Sequence, residues 1–303
     1  MLVVQNIMVR TFSTDYAHVV WQIEPTAESV SDYDFFVLRS EGQAGPYTVI
    51  SGALVDQYIW RDSRARDNRT WRRYYYRIRV THRTSGESTE YGSRTPEELA
   101  EGKDPGGVSR DPKQGLIGKE ISYRRRLIST AYAGKLGFIF QSRTFGQRCL
   151  GCWDPIKRQP NIEKCSSCYG TTFVGGFHTP IQVYIAEATT DRTDVLTPNG
   201  RAQPKTKSFF LASFPEVKPG DMIVESTNER WRIGQVSPSY VMGALVSQIA
   251  TCARVIKSDI EYKVPIKGVD AIRFEQVGEW HYTGATNLES IVESRNRYEP
   301  PEL

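Results

Sequence analysis

The chain has 303 residues, of which 39% are hydrophobic and 24% are charged, as in a soluble globular protein of two or three domains. The net charge of +4 is too small to indicate a nucleic-acid partner by itself, and no run of eighteen apolar residues predicts a membrane span. The residues after Met1 lack the features of a secretory signal. We therefore expect a reducing, cytosolic environment.

Residues 1–95 alternate short apolar runs with turn residues, a pattern typical of a small all-β sandwich. In the strand expected near residues 74–82, apolar side chains share one face and two arginines lie on the other, so one face is predicted to be core and the other wet. The expected strands cover residues 3–12, 18–24, 34–39, 47–51 and 74–82, with a last one near Tyr91.

Three segments of this region together resemble a fibronectin type III domain. They are Trp21 with its apolar neighbours, the central FFVLRSEGQAGPYTVI, and the final YYYRIRVTHRTSGESTEYGS. In that resemblance Tyr74 stands at the position of the tyrosine corner. The resemblance implies a module that makes contacts or spaces other domains, and no catalytic set is visible in it. The mixed arginines and aspartates of residues 62–69 predict a solvated loop.

Residues 96–116 are rich in Pro, Gly, Asp and Lys and predict an interdomain linker with at most one helical turn. Residues 117–145 predict one amphipathic helix, from apolar side chains at spacings of four and seven, followed by a short strand. The helix carries the basic cluster Arg124, Arg125 and Arg126. We interpret this cluster either as a contact for nucleic acid or an acidic partner, or as a solvated face with a local ion pair.

Residues 146–180 contain four of the five cysteines, as two C-x-x-C pairs separated by twelve residues: Cys149 with Cys152, and Cys165 with Cys168. Each pair places two thiolates on a tight turn whose backbone N–H groups can hydrogen-bond the sulfurs. Two such turns supply the tetrahedral sulfur ligands that suit Zn²⁺. Two disulfides or four buried thiols are the alternatives, and a reducing environment favours the metal. Four thiolates leave no open coordination position, so the zinc is expected to be structural.

Further expectations concern the other residues of this segment and the fifth cysteine. His178, ten residues beyond the last cysteine, is an alternative ligand. Gly170, Gly175 and Gly176 are expected to supply the left-handed backbone of a metal loop. Cys252 is expected to be a buried small residue, not a reactive thiol. The aromatic side chains are expected either to pack around the loops or to stack on bases: Trp153, Tyr169, Phe173 and Phe177.

Residues 181–260 predict a small β-barrel of SH3-like or OB-like type, so that the whole chain is expected to be mainly β. Residues 191–203 predict a hairpin tip or long loop. Residues 261–303 are expected to be a C-terminal extension with one short strand at 271–277, which either wraps a neighbouring subunit or is disordered at its end. The expected barrel strands cover residues 181–188, 206–214, 222–225, 230–236 and 247–256.

A second resemblance covers about residues 118–260. The segments YRRR at 123–126, C-x-x-C-W-D at 149–154, C-x-x-C-Y-G-T at 165–171 and VGGF at 174–177 resemble a family of tailed-bacteriophage structural proteins. The chain departs from that pattern at Thr172, where glycine is expected. The resemblance implies a virion protein of the neck or tail, a homo-oligomeric ring that contacts other virion proteins such as portal, adaptor or tail proteins.

Three functions follow from these observations. The first is a structural ring protein with an exposed fibronectin-like decoration and no enzymatic activity, which agrees with the lack of a catalytic arrangement around the four histidines. The second is a nucleic-acid-binding zinc ribbon, and DNA in the channel of a ring would allow both. The third is a virion-associated hydrolase whose sandwich binds a cell wall. No membrane contact is expected. The residues proposed to contact phosphates or a partner are Arg124, Arg125, Arg126, Arg143, Arg148, Lys157 and Arg158.

Overall fold

The computed structural model describes residues 2–10, 16–63, 73–110, 134–162, 164–188, 195–197, 200–202, 206–241, 243–266 and 272–273. This part of the chain is mainly β, with one α-helix, and none of its helices has the length and apolarity to cross a membrane. The elements are β1 (Val4–Arg10), β2 (Ala17–Ile23), β3 (Tyr33–Ser40), β4 (Thr48–Val49), β5 (Ile59–Asp62), β6 (Tyr75–His82), β7 (Ser88–Tyr91), α1 (Pro96–Ala100), β8 (Val108–Ser109), β9 (Lys135–Phe140), β10 (Trp153–Asp154), β11 (Gln159–Pro160), β12 (Ile181–Ala188), β13 (Val195–Thr197), β14 (Gly200–Ala202), β15 (Thr206–Ala212), β16 (Met222–Glu225), β17 (Arg230–Val241), β18 (Ala244–Arg254) and β19 (Ile272–Arg273).

The first eight strands form the predicted sandwich. A β1–β2–β5 sheet packs on a β4–β3–β6–β7 sheet, and β8 also pairs with β6. Trp21 is fully buried between them and lies 6.2 Å from the ring of Phe35. The predicted core face of β6 is confirmed, since Tyr76, Ile78 and Val80 are all buried. Strand β5 was not predicted, because four residues of mixed polarity carry almost no period-two signal.

Part of the predicted linker, residues 96–116, packs against the sandwich. The expected helical turn is α1, which begins with a capping box, and β8 follows it to pair with β6. This segment covers one part of the face of β6 that was predicted to be wet, while Tyr75 and Arg79 on that face stay partly exposed. Arg77 on that face is buried, with its guanidinium 3.9 Å from the ring centroid of Tyr47 and its Nε donating to the Gly106 carbonyl.

The predicted barrel is closed and has six strands, in the order β15–β18–β17–β16–β9–β12, with β12 pairing back to β15. The prediction that Cys252 is buried is confirmed, and burial raises the pKa of its thiol to about 12. The β17–β18 hairpin is longer than expected, because the exposed segment 237–240 contains a proline and polar residues that predict a loop. The barrel core includes Ile139, Ile181, Val183, Ile185, Phe209, Leu211, Ile223, Trp231, Ile233, Val246 and Ala250.

Residues 141–180 connect β9 to β12, two strands that pair with each other in the barrel. We call this connection the cysteine module. It also contacts the sandwich, where Thr26 forms a parallel bridge with Gln147. The sandwich and barrel touch directly, because the ring of His18 in β2 stacks on Phe214 with centroids 4.4 Å apart. The three parts therefore share contacts at one junction.

Several predictions concern residues outside the described ranges and stay predictions. The helix with Arg124, Arg125 and Arg126 falls within residues 111–133, and most of the C-terminal extension lies beyond residue 273. Tyr74 is buried beside β6, but the upstream backbone of a tyrosine corner falls within residues 64–72.

Candidate metal centre

The four cysteines predicted as ligands converge in the cysteine module. Their sulfurs all lie within 4.8 Å of one another. The Sγ–Sγ distance is 3.3 Å between Cys152 and Cys168 and 3.8 Å between Cys149 and Cys165, so no disulfide joins them. A tetrahedral ion with metal–sulfur distances of ~2.3 Å holds its sulfurs ~3.8 Å apart. The cluster therefore has the dimensions of a tetrahedral metal–thiolate site.

Each C-x-x-C pair lies on a tight turn, as predicted. The carbonyl of Cys149 accepts hydrogen bonds from the N–H groups of Cys152, at 3.2 Å, and Trp153, at 2.9 Å. In the second pair, the carbonyl of Cys165 accepts from the N–H of Tyr169 at 2.9 Å. Both turns aim their two thiols toward the same point, which is the geometry that chelation by four sulfurs requires.

The surroundings of the sulfurs favour a bound cation. A hydrogen bond from the backbone N–H of Ser167 lowers the pKa of the Cys165 thiol to about 7. Burial acts in the opposite direction on Cys152 and Cys168 and raises the pKa of both thiols. Because burial penalises several thiolates side by side, a metal ion would supply the positive charge that stabilises them together.

The glycines after the second pair adopt the left-handed backbone that was predicted. Gly170, Gly175 and Gly176 have φ values of 86°, 80° and 70°. At Gly176 a Cβ would lie 2.7 Å from the carbonyl oxygen of Cys168, so this position also needs glycine for space. The loop closes over the cysteines because its backbone can approach this closely.

Thr172, where glycine was expected, also has a positive φ of 69°. A β-branched residue in this conformation costs roughly 1–2 kcal/mol. Two hydrogen bonds offset that cost: the Thr172 carbonyl accepts from the N–H of Cys149 at 2.9 Å, and its Oγ1 accepts from Nη1 of Arg148 at 2.9 Å. Thr172 therefore links the second loop to the first cysteine pair through these two hydrogen bonds.

Arg148 lies inside the aromatic part of the module. Its guanidinium is 4.0 Å from the ring centroid of Trp153 and 4.1 Å from that of Phe173, and burial lowers its pKa. Tyr169 and Phe177 pack in a second apolar cluster beside the barrel. These rings pack around the loops, and the half-buried Arg148 stacks between two of them. Its contact with a phosphate or a partner stays a prediction.

Arg143 also differs from the prediction of a nucleic-acid or partner contact. Its side chain is buried and forms a bidentate ion pair with Asp56 of the sandwich. Nη1 donates to Oδ1 at 2.9 Å, and Nη2 donates to Oδ2. Its Nε donates to the carbonyl of Phe177 at 2.9 Å. The sequence could not indicate this role, because Asp56 is 87 residues away and lies in a different domain.

His178, the alternative ligand, is not part of the sulfur cluster. Its ring lies 5.5 Å from Tyr58 in an edge-on arrangement and 4.6 Å from Phe145. Burial, with a smaller contribution from the charge of Arg143, lowers the pKa of His178 to about 3. The histidine is therefore neutral and enclosed by aromatic rings, in surroundings that its sequence position did not reveal.

Two of the predicted basic contacts remain exposed. Lys157 and Arg158 lie in the turn between β10 and β11, where Oδ1 of Asp154 accepts from the N–H groups of Ile156 and Lys157. The neighbouring Ile156 is 92% exposed. The turn of this hairpin is therefore exposed to solvent.

Comparison with models of protein families, with curated proteins and with solved structures gives no match for this chain. The function must therefore be inferred from the chain's own residues.

Proposed function

We propose that this chain is a structural protein of a tailed-phage virion. In this role it forms a homo-oligomeric ring at the neck or head–tail connection, contacts portal, adaptor or tail proteins, and carries its sandwich as an exposed decoration without catalytic activity. The resemblance of the C-x-x-C-W-D and C-x-x-C-Y-G-T segments supports the virion assignment. The structural observation that carries the proposal is the position of the cysteine module, which joins the sandwich to the barrel.

The module is bonded to both of its neighbours. Toward the barrel, the backbone N–H of Ser142 donates to Oδ1 of Asp221 at 2.8 Å, and Nε2 of Gln141 donates to the Glu216 carbonyl at 2.8 Å. Toward the sandwich, the N–H of Arg148 donates to the Thr26 carbonyl at 2.7 Å. A ring component that carries a second domain needs such a fixed joint. A site closed by four protein ligands suits a joint because it leaves no position for a substrate.

We propose Zn²⁺ as the metal, since four thiolates in a tetrahedron match its preferred ligands. Metal analysis of the purified protein should give one zinc per chain. Cys165→Ser should lose the metal, whereas Cys252→Ala, at the one cysteine outside the cluster, should keep it. A metal-free protein that is still folded would contradict a structural role of the metal. A coloured iron site would contradict the choice of zinc.

The ring is tested by light scattering on the purified chain, alone and mixed with portal and tail proteins encoded beside it. We expect a particle several times larger than the 34.4 kDa monomer, or assembly onto a partner ring. A chain that stays monomeric at all concentrations and joins none of these partners would overturn the proposal. Portal and tail-tube genes in the genomic neighbourhood would support it independently.

The exposed Lys157 and Arg158 favour nucleic-acid binding as the second candidate function. Two adjacent exposed cations are suited to phosphate contact, although Lys157 also lies 3.9 Å from a carboxylate oxygen of Asp154. A gel-shift titration with duplex DNA at increasing salt tests this, with the Lys157→Gln/Arg158→Gln double variant compared with the exposed Lys103→Gln. Binding that is salt-dependent, weakened in the double variant and seen in a strict monomer would favour this candidate over the ring.

A further inference from the structure

The four cysteines of the proposed metal centre differ in exposure. Cys149, Cys152 and Cys168 are 3%, 1% and 0% exposed, whereas Cys165 is only partly buried. The two serine residues that follow Cys165 are exposed, so solvent reaches the beginning of the second cysteine turn. A small reagent dissolved in water would therefore reach Cys165 before the other three cysteines.

Two sulfur–sulfur contacts cross from one cysteine turn to the other. Sγ of Cys165 lies 3.8 Å from Sγ of Cys149, and Sγ of Cys168 lies 3.3 Å from Sγ of Cys152. A disulfide needs ~2.05 Å between its sulfurs, so each pair has to close by less than about 2 Å. The two contacts use each sulfur once, and both join the same two turns that a metal ion would join.

We propose that this centre is also an oxidation site, at which a peroxide converts the four thiolates into the disulfides Cys149–Cys165 and Cys152–Cys168. The inference rests on the metal centre proposed above and gives it a second state. The thiolate is the form of cysteine that attacks a peroxide, and coordination to a metal ion keeps a cysteine in that form. The partly exposed Cys165 is the residue at which the reaction begins.

Each disulfide forms in two steps. The sulfur of Cys165 attacks one oxygen of hydrogen peroxide, so that an S–O bond forms, the O–O bond breaks and hydroxide leaves, which takes up a proton to give water. The sulfur of Cys149 then attacks the sulfenic sulfur, an S–S bond forms, and a second hydroxide leaves as water. Each pair of thiolates gives two electrons to one peroxide, so two peroxides convert the centre. With all four sulfurs in disulfides, no thiolate remains at the centre to hold a metal ion.

The oxidised chain should keep the joint between the sandwich and the barrel. The disulfides join the turns at residues 149–152 and 165–168, which the metal is proposed to join in the reduced chain. A metal-free chain is therefore expected to stay folded when it is oxidised and to unfold when it is reduced. A dithiol should return the four thiols and, with them, the requirement for metal.

The test treats the full-length, zinc-loaded protein with hydrogen peroxide in the presence of a chromogenic chelator. We expect one zinc ion to be released per chain, and peptide mapping by mass spectrometry after alkylation should find both cross-turn disulfides. Cys252, which is buried in the barrel, should remain a thiol, and Cys252→Ala should give the same release and the same disulfides. In excess chelator, urea unfolding of the oxidised protein should show a cooperative transition that a dithiol abolishes.

Three results would overturn the proposal: disulfides within the pairs Cys149–Cys152 and Cys165–Cys168, sulfinic or sulfonic acids in place of disulfides, or no release of zinc by excess peroxide. The mapping uses the unaltered chain, so it does not depend on whether a variant folds. Any of these results in a protein that carries zinc would refute the oxidation site alone. A reduced chain that is folded without metal and still forms the cross-turn disulfides would refute the structural role of the metal alone.

Discussion

At Gly176 the cysteine module has no room for a side chain. A Cβ there would lie 2.7 Å from the carbonyl oxygen of Cys168 and 2.8 Å from the ring of Tyr169. The carbonyl of Cys168 also accepts a hydrogen bond from the N–H of Thr171 at 2.9 Å. The backbone of a predicted ligand therefore cannot move aside without displacing its sulfur.

We expect Gly176→Ala to lower the free energy of unfolding by about 3 kcal/mol or more and to weaken metal retention, because steric overlap adds to the left-handed backbone. Gly175→Ala is the matched control. It has a similar φ of 80°, but its Cβ would meet nothing nearer than Arg143 atoms at 3.8 Å, so only the backbone cost of roughly 1–2 kcal/mol applies. Urea unfolding of both variants measures the difference, and equal losses would contradict the steric argument.

His178 is expected to make the stability of the protein depend on pH. Its pKa is about 3 in the folded chain and ~6.5 when unfolded, so below pH ~6.5 the unfolded chain binds a proton that the folded chain excludes. The contribution of neutral His178 to stability is therefore complete above pH ~6.5 and is lost as the pH falls from there toward 3.

The measurement is the free energy of unfolding of the metal-loaded protein between pH 7 and 5. We expect His178→Phe to remove part of the decline with falling pH, at up to ~1.4 kcal/mol per pH unit, while His82→Phe leaves the decline as it is. A slope that is the same in all three proteins would mean that His178 takes up its proton as readily in the folded state as in the unfolded one.

At the scale of elements, two ion pairs hold the sandwich to its neighbours and differ in burial. Arg143 is 8% exposed and pairs with Asp56, which is 37% exposed, so burial distinguishes this pair on the arginine side. Arg10 and Glu216, which join the sandwich to the barrel, are 35% and 40% exposed. Removing the partner of a buried charge costs much more than removing one member of an exposed pair.

We therefore expect Asp56→Asn to destabilise the protein by about 2 kcal/mol, because it removes a charge-assisted pair from a buried guanidinium. Asparagine adopts a positive φ such as the 52° at this position readily, so the substitution adds no backbone strain to the measured loss of stability. Glu216→Gln should cost less than ~1 kcal/mol. Denaturant unfolding measures the free energy of unfolding of both variants. A larger loss of stability in Glu216→Gln would show that the Arg10–Glu216 pair, and not the Arg143–Asp56 pair, contributes more to holding the sandwich.

The elements that could be predicted are those with a strong local pattern. Strands β12 and β16 lie at the predicted residues, and the two cysteine turns follow from their spacing. Strand β5 was missed because its mixed polarity shows no alternation, and β8 was missed because it has only two residues. Each is held mainly by its partner strand. Arg77 was wrongly placed on a wet face because the segment that covers it comes from a predicted linker.

At the scale of the whole molecule, the metal cluster could be inferred from the sequence but the junction around it could not. Four cysteines at fixed spacing specify a site through local geometry. The Arg143–Asp56 pair and a cavity lined in part by Trp21 and His178 join residues that are far apart in the chain. Only the packing of the three parts brings them together, and no local pattern encodes that packing.

The position of the cysteine module also has a consequence for the order of folding. Strands β9 and β12 must pair across a connection of about forty residues, residues 141–180, before the barrel can close. A metal that joins the two cysteine pairs shortens the flexible part of this connection by about half, and halving a loop lowers its closure free energy by ~0.6 kcal/mol.

Metal should therefore speed barrel formation nearly threefold, which can be measured by tryptophan fluorescence during refolding with zinc or with a chelator. Cys165→Ser should refold at one rate in both solutions, and an equal zinc dependence in that variant would show that the metal acts elsewhere. If the chain assembles as proposed above, the supply of metal during synthesis would then limit how quickly newly made chains become ready to assemble.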